Sequence, residues 1–142
     1  MTSPLFVIDT NVLVSGFLTS EPEGPTAQVL DGMLTGRFRF LLSVDLLAEY
    51  RSVLLRPAIQ RRHKLSSAAI DAVLTDVAAN GKVKEVAEGL LGAGHGDEHL
   101  LALLAAWPES ILVTGDDALR KRLPRERTVP PREFVKHLDP TT

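Results

Sequence analysis

Cysteine is absent from the 142-residue chain. That excludes disulfide staples, thiolate metal sites and a cysteine nucleophile together. Aromatic residues are scarce, at 5%, and most of Phe6, Phe17, Phe38, Phe40, Tyr50, Trp107 and Phe134 fall where core residues are expected, so no base-stacking platform stands out. An excess of one charge is missing as well. The 16 Lys and Arg oppose 18 Asp and Glu for a net charge of -2, so any nucleic-acid contact has to come from local patches. No apolar run approaches the roughly 20 residues that a membrane span needs. The apolar N-terminus has no basic leader and is interrupted by Asp9 and Asn11, which leads to the expectation of a soluble cytoplasmic protein.

What is present reads as an ordinary globular chain, 44% hydrophobic and 24% charged, of a size that suits one domain over residues 1–142. Leu5 to Ile8 is a continuous apolar run of strand length, the pattern of a strand covered on both faces. Pro25 to Leu34 turns helical, with Gly36 as its stop. Phe38 to Leu42 predicts a second strand. Ser43 can cap a helix that Pro57 closes near Arg56, and Arg61 to Lys64 is expected to be an exposed connector. Ser66 can cap a further helix to Asn80, with Gly81 as a left-handed stop. Lys82 to Val86 is a short strand candidate, and a strongly apolar helix follows Asp97 and ends at Pro108. Ile111 to Val113 predicts a strand, followed by a basic helix to about Leu123, an edge strand over Arg127 to Val129, and a short helix from Pro131 to Leu138 with Phe134 and Leu138 on one face. Strands alternating with helices imply an α/β fold, a parallel central sheet of about four to five strands with helices on both faces.

In such a sheet, ligands bind beyond the carboxyl ends of the strands, where strand order reverses. Asp9 follows the first strand and Asp116 follows Ile111 to Val113, so both carboxylates can emerge on that edge. Asp97, at another strand-to-helix junction, can join them, and Glu49 borders the apolar stripe of its helix between Leu46 and Val53. Taken singly, an Asp at a helix start is more often a cap or dipole partner, and Glu49 more often a solvated helix residue. Together, acids converging on one edge would repel one another without a cation. Mg2+ or Mn2+, which favour oxygen ligands and keep waters, would answer that need.

The residues around these acids carry a resemblance. Val7-Ile8-Asp9-Thr10-Asn11-Val12 is similar to the opening motif of PIN domains, where Asp-Thr-Asn follows the first strand. The stretches Leu46-Leu47-Ala48-Glu49-Tyr50 and Val53-Leu54-Leu55-Arg56-Pro57 resemble the second motif, Gly96-Asp97-Glu98-His99-Leu100 the third, and Val113-Thr114-Gly115-Asp116 the fourth. The ending Val129-Pro130-Pro131-Arg132-Glu133-Phe134-Val135 resembles the toxin branch of toxin–antitoxin PIN proteins. Relatives in that branch often carry further acids before the third motif, where this chain has Gly94, His95 and Gly96. The resemblance implies a single PIN-like domain in which Asp9, Glu49, Asp97 and Asp116 are catalytic metal ligands. It also implies RNA as substrate, commonly a homodimer, and an antitoxin protein as inhibitor.

Asn11 and Thr114 can orient carboxylates or a bound water by hydrogen bonds, or can stabilise turns and caps. Arg51 and Arg56 after Glu49, and Arg120 and Arg122 (with Lys121, Arg125 and Arg127) after Asp116, are candidates for RNA phosphates; cations near helix C-termini also complement the helix dipole. His95 and His99, four apart, could imitate a zinc pair, although Gly96 interrupts the helix and no third soft ligand is evident. The alternatives are a housekeeping RNA-processing PIN nuclease, a catalytically weak PIN-fold binding module, and an aspartyl-phosphate phosphatase. The last would typically have a second acid where this chain has Asn11.

Overall fold

A computed structural model describes residues 4–84 and 98–138 of the chain. Leu5–Ile8 forms β1, and its apolar run is explained by its position. It pairs in parallel with β2 (Arg39–Leu42) on one side and with β4 (Ser110–Val113) on the other. With β3 (Lys82–Val83) beside β2 and β5 (Thr128–Val129) beside β4, the order is β3-β2-β1-β4-β5. All pairings are parallel. The chain moves outward from β1 to β2 and β3, then returns to the other side of β1 to lay down β4. The reversal therefore falls between β1 and β4, which are the strands that precede Asp9 and Asp116.

The connections are helical: α1 (Thr10–Leu18), α2 (Pro25–Thr35), α3 (Val44–Leu54), α4 (Pro57–His63), α5 (Ser67–Asn80), α6 (Glu98–Ala106), α7 (Asp117–Lys121) and α8 (Pro131–Lys136). Two of the expected caps are in place. Ser43 accepts from the Leu46 amide at 3.0 Å and Ser66 from the Ala69 amide at 3.1 Å, each worth about 1 kcal/mol to its helix. Gly36 ends α2 at φ 71°, the left-handed conformation that glycine adopts without a Cβ penalty. Val7, Ile8, Phe40, Leu42, Leu112 and Val113 of the central strands are fully buried under Leu46, Leu54, Ile70 and Leu103 from the helices. Phe6, Phe38 and Phe134 pack edge to face, with centroids 4.7 and 4.9 Å apart for the two pairs with Phe134. This fixes α8 against the amino end of the sheet.

Several expectations need correction. Beyond the elements that were expected, the stretch after Asp9, rich in β-branched residues, is helix α1; packing against α2 and α3 overrides its weak helix propensity. Pro57 ends one helix by starting another, since proline suits a first helical position. Arg61 to His63 are therefore helical, with Lys64 in the left-handed cap. Gly81 is extended, not left-handed. Its glycine is required by close packing, because a Cβ there would lie 2.5 Å from Phe40 Cε2 and 2.8 Å from Leu42 Cδ1. Arg125–Arg127 is a 3-10 turn, and β5 begins after it. The end of the Lys82 to Val86 candidate lies outside the described residues. Among the described residues, no helix is long and apolar enough to cross a membrane.

Candidate active site

The last residue of β1 is Ile8, and the chain passes directly into α1, so Asp9 is fixed at the carboxyl edge of the sheet. Its amide donates to Val113 O at 3.0 Å, continuing the β1–β4 ladder. Asp9 occupies the N-cap position of α1, yet its carboxylate makes no capping hydrogen bond. Instead Oδ2 accepts from Thr114 Oγ1 at 2.7 Å, in surroundings where Asp9 is 4% exposed and Thr114 0%. An ordinary cap would turn its oxygen toward the helix amides. This one is held across the strand reversal.

Thr114 also accepts from the Asp116 amide at 3.1 Å, so a single hydroxyl braces both turns that follow the paired strands. Asp116 Oδ1 accepts from the Leu119 amide at 3.1 Å and caps α7. Asp117 lies in the first turn of α7, with a side chain 83% exposed, 3.6 Å from Arg120.

Glu49 sits midway along α3 with Leu46 and Val53 buried on either side of it. Its Oε2 accepts from Thr10 Oγ1 at 2.8 Å, which joins α3 to the first residue of α1. His99 Nε2 lies 2.5 Å from the same oxygen. The next residue, Tyr50, is fully buried and donates its hydroxyl to Ile8 O at 2.5 Å. Burial pushes the Tyr50 hydroxyl well above its ordinary pKa of 10.0, and the nearby carboxylates of Asp9 and Glu49 push it further. Both carboxylates thus disfavour ionisation of the same buried group.

Asp9, Asp116 and Thr114 meet at the strand reversal, and Glu49 approaches Asp9 through Thr10 and Tyr50. Asp97 and His95 lie outside the described residues; α6 is described from Glu98. Asn11 is exposed in the first turn of α1. Arg51 is engaged elsewhere: its Nε donates to Asp71 Oδ1 at 2.7 Å across α3 and α5, and this contact holds the Asp71 carboxyl below its usual range. Arg56 is exposed at the start of α4. Arg122 lies 3.6 Å from Glu98 at the start of α6. Arg127, one of the basic residues expected to face RNA, instead donates to Leu104 O and Ser110 O at 2.8 Å each, tying the end of α6 to β4.

An open cleft of about 470 Å³ adjoins the Asp116 turn, lined by Gly115, Asp117, Arg120, Thr26, Pro131 and Arg132 among others. Arg132 was not among the sequence candidates. Thr10 and Tyr50 had not been given site roles, and His99 had been weighed only as half of a zinc pair with His95. Of the first two, Tyr50 offered a signal, because a buried tyrosine needs a partner for its hydroxyl.

A family model for the PIN domain matches residues 6–118. The chain belongs to the PIN-domain family. The match spans all four acid-bearing motifs, and PIN domains are typically nucleases that generally use divalent metals. No curated protein matches the chain. The donors of this PIN domain suit such a metal in kind. Asp9, Asp116 and Glu49 place carboxylate oxygens on one sheet edge, with Asp9 held by Thr114, and hard divalent cations select oxygen donors. Among the described residues, no three Asp, Glu or His side chains close around a common point. The fit therefore rests on donor chemistry and placement rather than on a finished cage.

Proposed function

We propose that this PIN domain is a Mg2+- or Mn2+-dependent endoribonuclease that hydrolyses RNA phosphodiesters. The observation that carries the reading is the Asp9–Thr114–Asp116 arrangement at the strand reversal, in which the buried Asp9 carboxylate is anchored by a side chain instead of capping its own helix. Asp9, Glu49, Asp97 and Asp116 would hold the cation. When bound, a divalent cation supplies water activation and neutralises charge developing on the phosphate.

The protein's own contribution is positioning. Thr114 fixes Asp9 Oδ2, Thr10 and His99 fix Glu49 Oε2, and the cap to Leu119 fixes one oxygen of Asp116. Arg120 and Arg132 line the cleft beside the Asp116 turn, which supports a role for them, with Arg122, in meeting RNA phosphates. Arg56 is exposed and can extend the contact, whereas Arg51 would first have to leave Asp71. The likeness of the Val129 to Val135 ending to toxin–antitoxin PIN proteins supports a toxin role, with a homodimer and a cognate antitoxin as partners, in the cytoplasm.

The test is RNA cleavage by the purified chain in Mg2+ or Mn2+, set against chelator and against Asp9→Asn. Cleavage should require the cation, and the variant should be inactive while remaining folded. Undiminished turnover by Asp9→Asn in metal-replete buffer would overturn the assignment. Growth arrest on expression, relieved by the product of an adjacent gene that co-purifies with the chain, is the outcome expected of a toxin.

A further inference from the structure

Thr10 and His99 reach Glu49 from different helices, α1 and α6, and converge on one atom. Thr10 Oγ1 is 2.8 Å and His99 Nε2 2.5 Å from Oε2. Carboxylate oxygens only accept, so His99 presents Nε2–H. That tautomer also avoids an unsatisfied N–H, because Nδ1 is buried without a partner among the described residues. Two donors fill the two lone-pair directions of Oε2. Among the described residues, Oε1 receives no hydrogen bond. Neither donor is easily displaced: Thr10 is 4% exposed, and the His99 side chain 13%.

We propose that His99 and Thr10 are positioning residues that set the metal selectivity of the site, by restricting Glu49 to binding a cation through Oε1 alone. This rests on the reading of Glu49 as a metal ligand. Calcium takes six to eight oxygens and often a two-oxygen carboxylate, whereas Mg2+ requires near-octahedral geometry and keeps most of its waters. A carboxylate with one oxygen already saturated meets the second requirement and frustrates the first. To bind calcium through both oxygens, Glu49 has to break hydrogen bonds from the buried Thr10 and the half-buried His99.

The experiment is calorimetric titration of the full chain with Mg2+, Mn2+ and Ca2+ separately. It compares wild type with His99→Phe, His99→Gln, Thr10→Val and Glu49→Gln, each checked for folding by circular dichroism. His99→Phe should shift the Ca2+ to Mn2+ affinity ratio toward calcium by about tenfold, the scale on which groups orienting a ligand act. Thr10→Val, which removes the other donor at nearly constant shape, should move it the same way. His99→Gln keeps an N–H donor and should restore the wild-type ratio.

If Glu49→Gln weakens binding while His99→Phe and Thr10→Val leave the ratio unchanged, the selectivity role is wrong and the metal-ligand reading of Glu49 stands. If His99→Phe and His99→Gln weaken every cation as severely as Glu49→Gln, His99 is itself a ligand and the proposal fails. If the wild type takes up none of the three cations, the proposed function falls and this inference with it.

Discussion

At the scale of single residues, the adjacent acids Asp116 and Asp117 are separated by their surroundings. They differ by about 100° around the helix, and the structure gives them different work. Asp116 combines a half-buried position at the strand reversal with a cap to the Leu119 amide, while Asp117 is 83% exposed beside Arg120. Asparagine caps a helix about as well as aspartate, so Asp116→Asn should keep the cap and lose the charge proposed to hold the cation. RNA cleavage should fall on the order of 10²-fold or more, with little change in stability. Asp117→Asn should leave cleavage near wild type and lower stability by roughly 0.3–1 kcal/mol through the helix dipole. Both are to be assayed on one RNA at saturating Mn2+. The reverse ranking would mean that the wrong acid has been assigned to the fourth motif. The placement of Asp9, Asp116 and Thr114 at one sheet edge was legible in the sequence because each follows a strand end, and that of Glu49 because it borders an apolar helix face. Thr10, Tyr50 and His99 were not. Their partners depend on which helix lies against which across the fold, whereas Asp9 and Thr114 each directly follow a strand whose end the sequence marks.

At the scale of elements, the Tyr50 hydroxyl clasps α3 to the end of β1, one residue after Glu49 and one before Asp9. Its ionisation opposes folding. A tyrosine whose pKa is raised in the native state keeps its proton there at a pH where the unfolded chain has released it, so the native state binds more protons. The stabilising contribution of neutral Tyr50 is therefore complete below about pH 10, the ordinary tyrosine value, and is lost as pH rises toward the elevated native value. Denaturant melts of wild type and Tyr50→Phe between pH 8 and 11 should show wild type losing stability more steeply above pH 10. Parallel curves would mean that the hydroxyl is not buried as described. At neutral pH, Tyr50→Phe should cost about 1 kcal/mol for the lost hydrogen bond. Strands and caps of this layer were readable from apolar runs and from serine followed by a helical pattern. Helix α1 and the extended Gly81 were not. The first is stabilised by its packing against α2 and α3, and the second by the approach of Phe40 and Leu42, and both are tertiary causes.

At the scale of the whole molecule, the strand order β3-β2-β1-β4-β5 explains why acids distant in sequence share an edge. The register pairs Ile8 with Val113, so the chain leaves both central strands at the same level and Asp9 and Asp116 follow within three residues. If these acids hold a cation as proposed, their mutual repulsion without it opposes folding. A ligand that binds only the native state stabilises it by an amount set by its concentration relative to Kd, about 2.7 kcal/mol at a hundredfold excess. For a domain of this size, the corresponding rise in melting temperature is on the order of 10 °C. The measurement is a thermal melt across a Mn2+ or Mg2+ titration at matched ionic strength, so that general screening by salt is held constant. Wild type should rise with cation and return to its starting value with chelator. Asp9→Asn should begin at or above the wild-type melting temperature without cation, since one of the repelling charges is gone, and should respond weakly to metal. A wild-type melting temperature that stays flat across a wide titration would remove the metal site from this edge. A rise that is equally large in Asp9→Asn would move it to other acids.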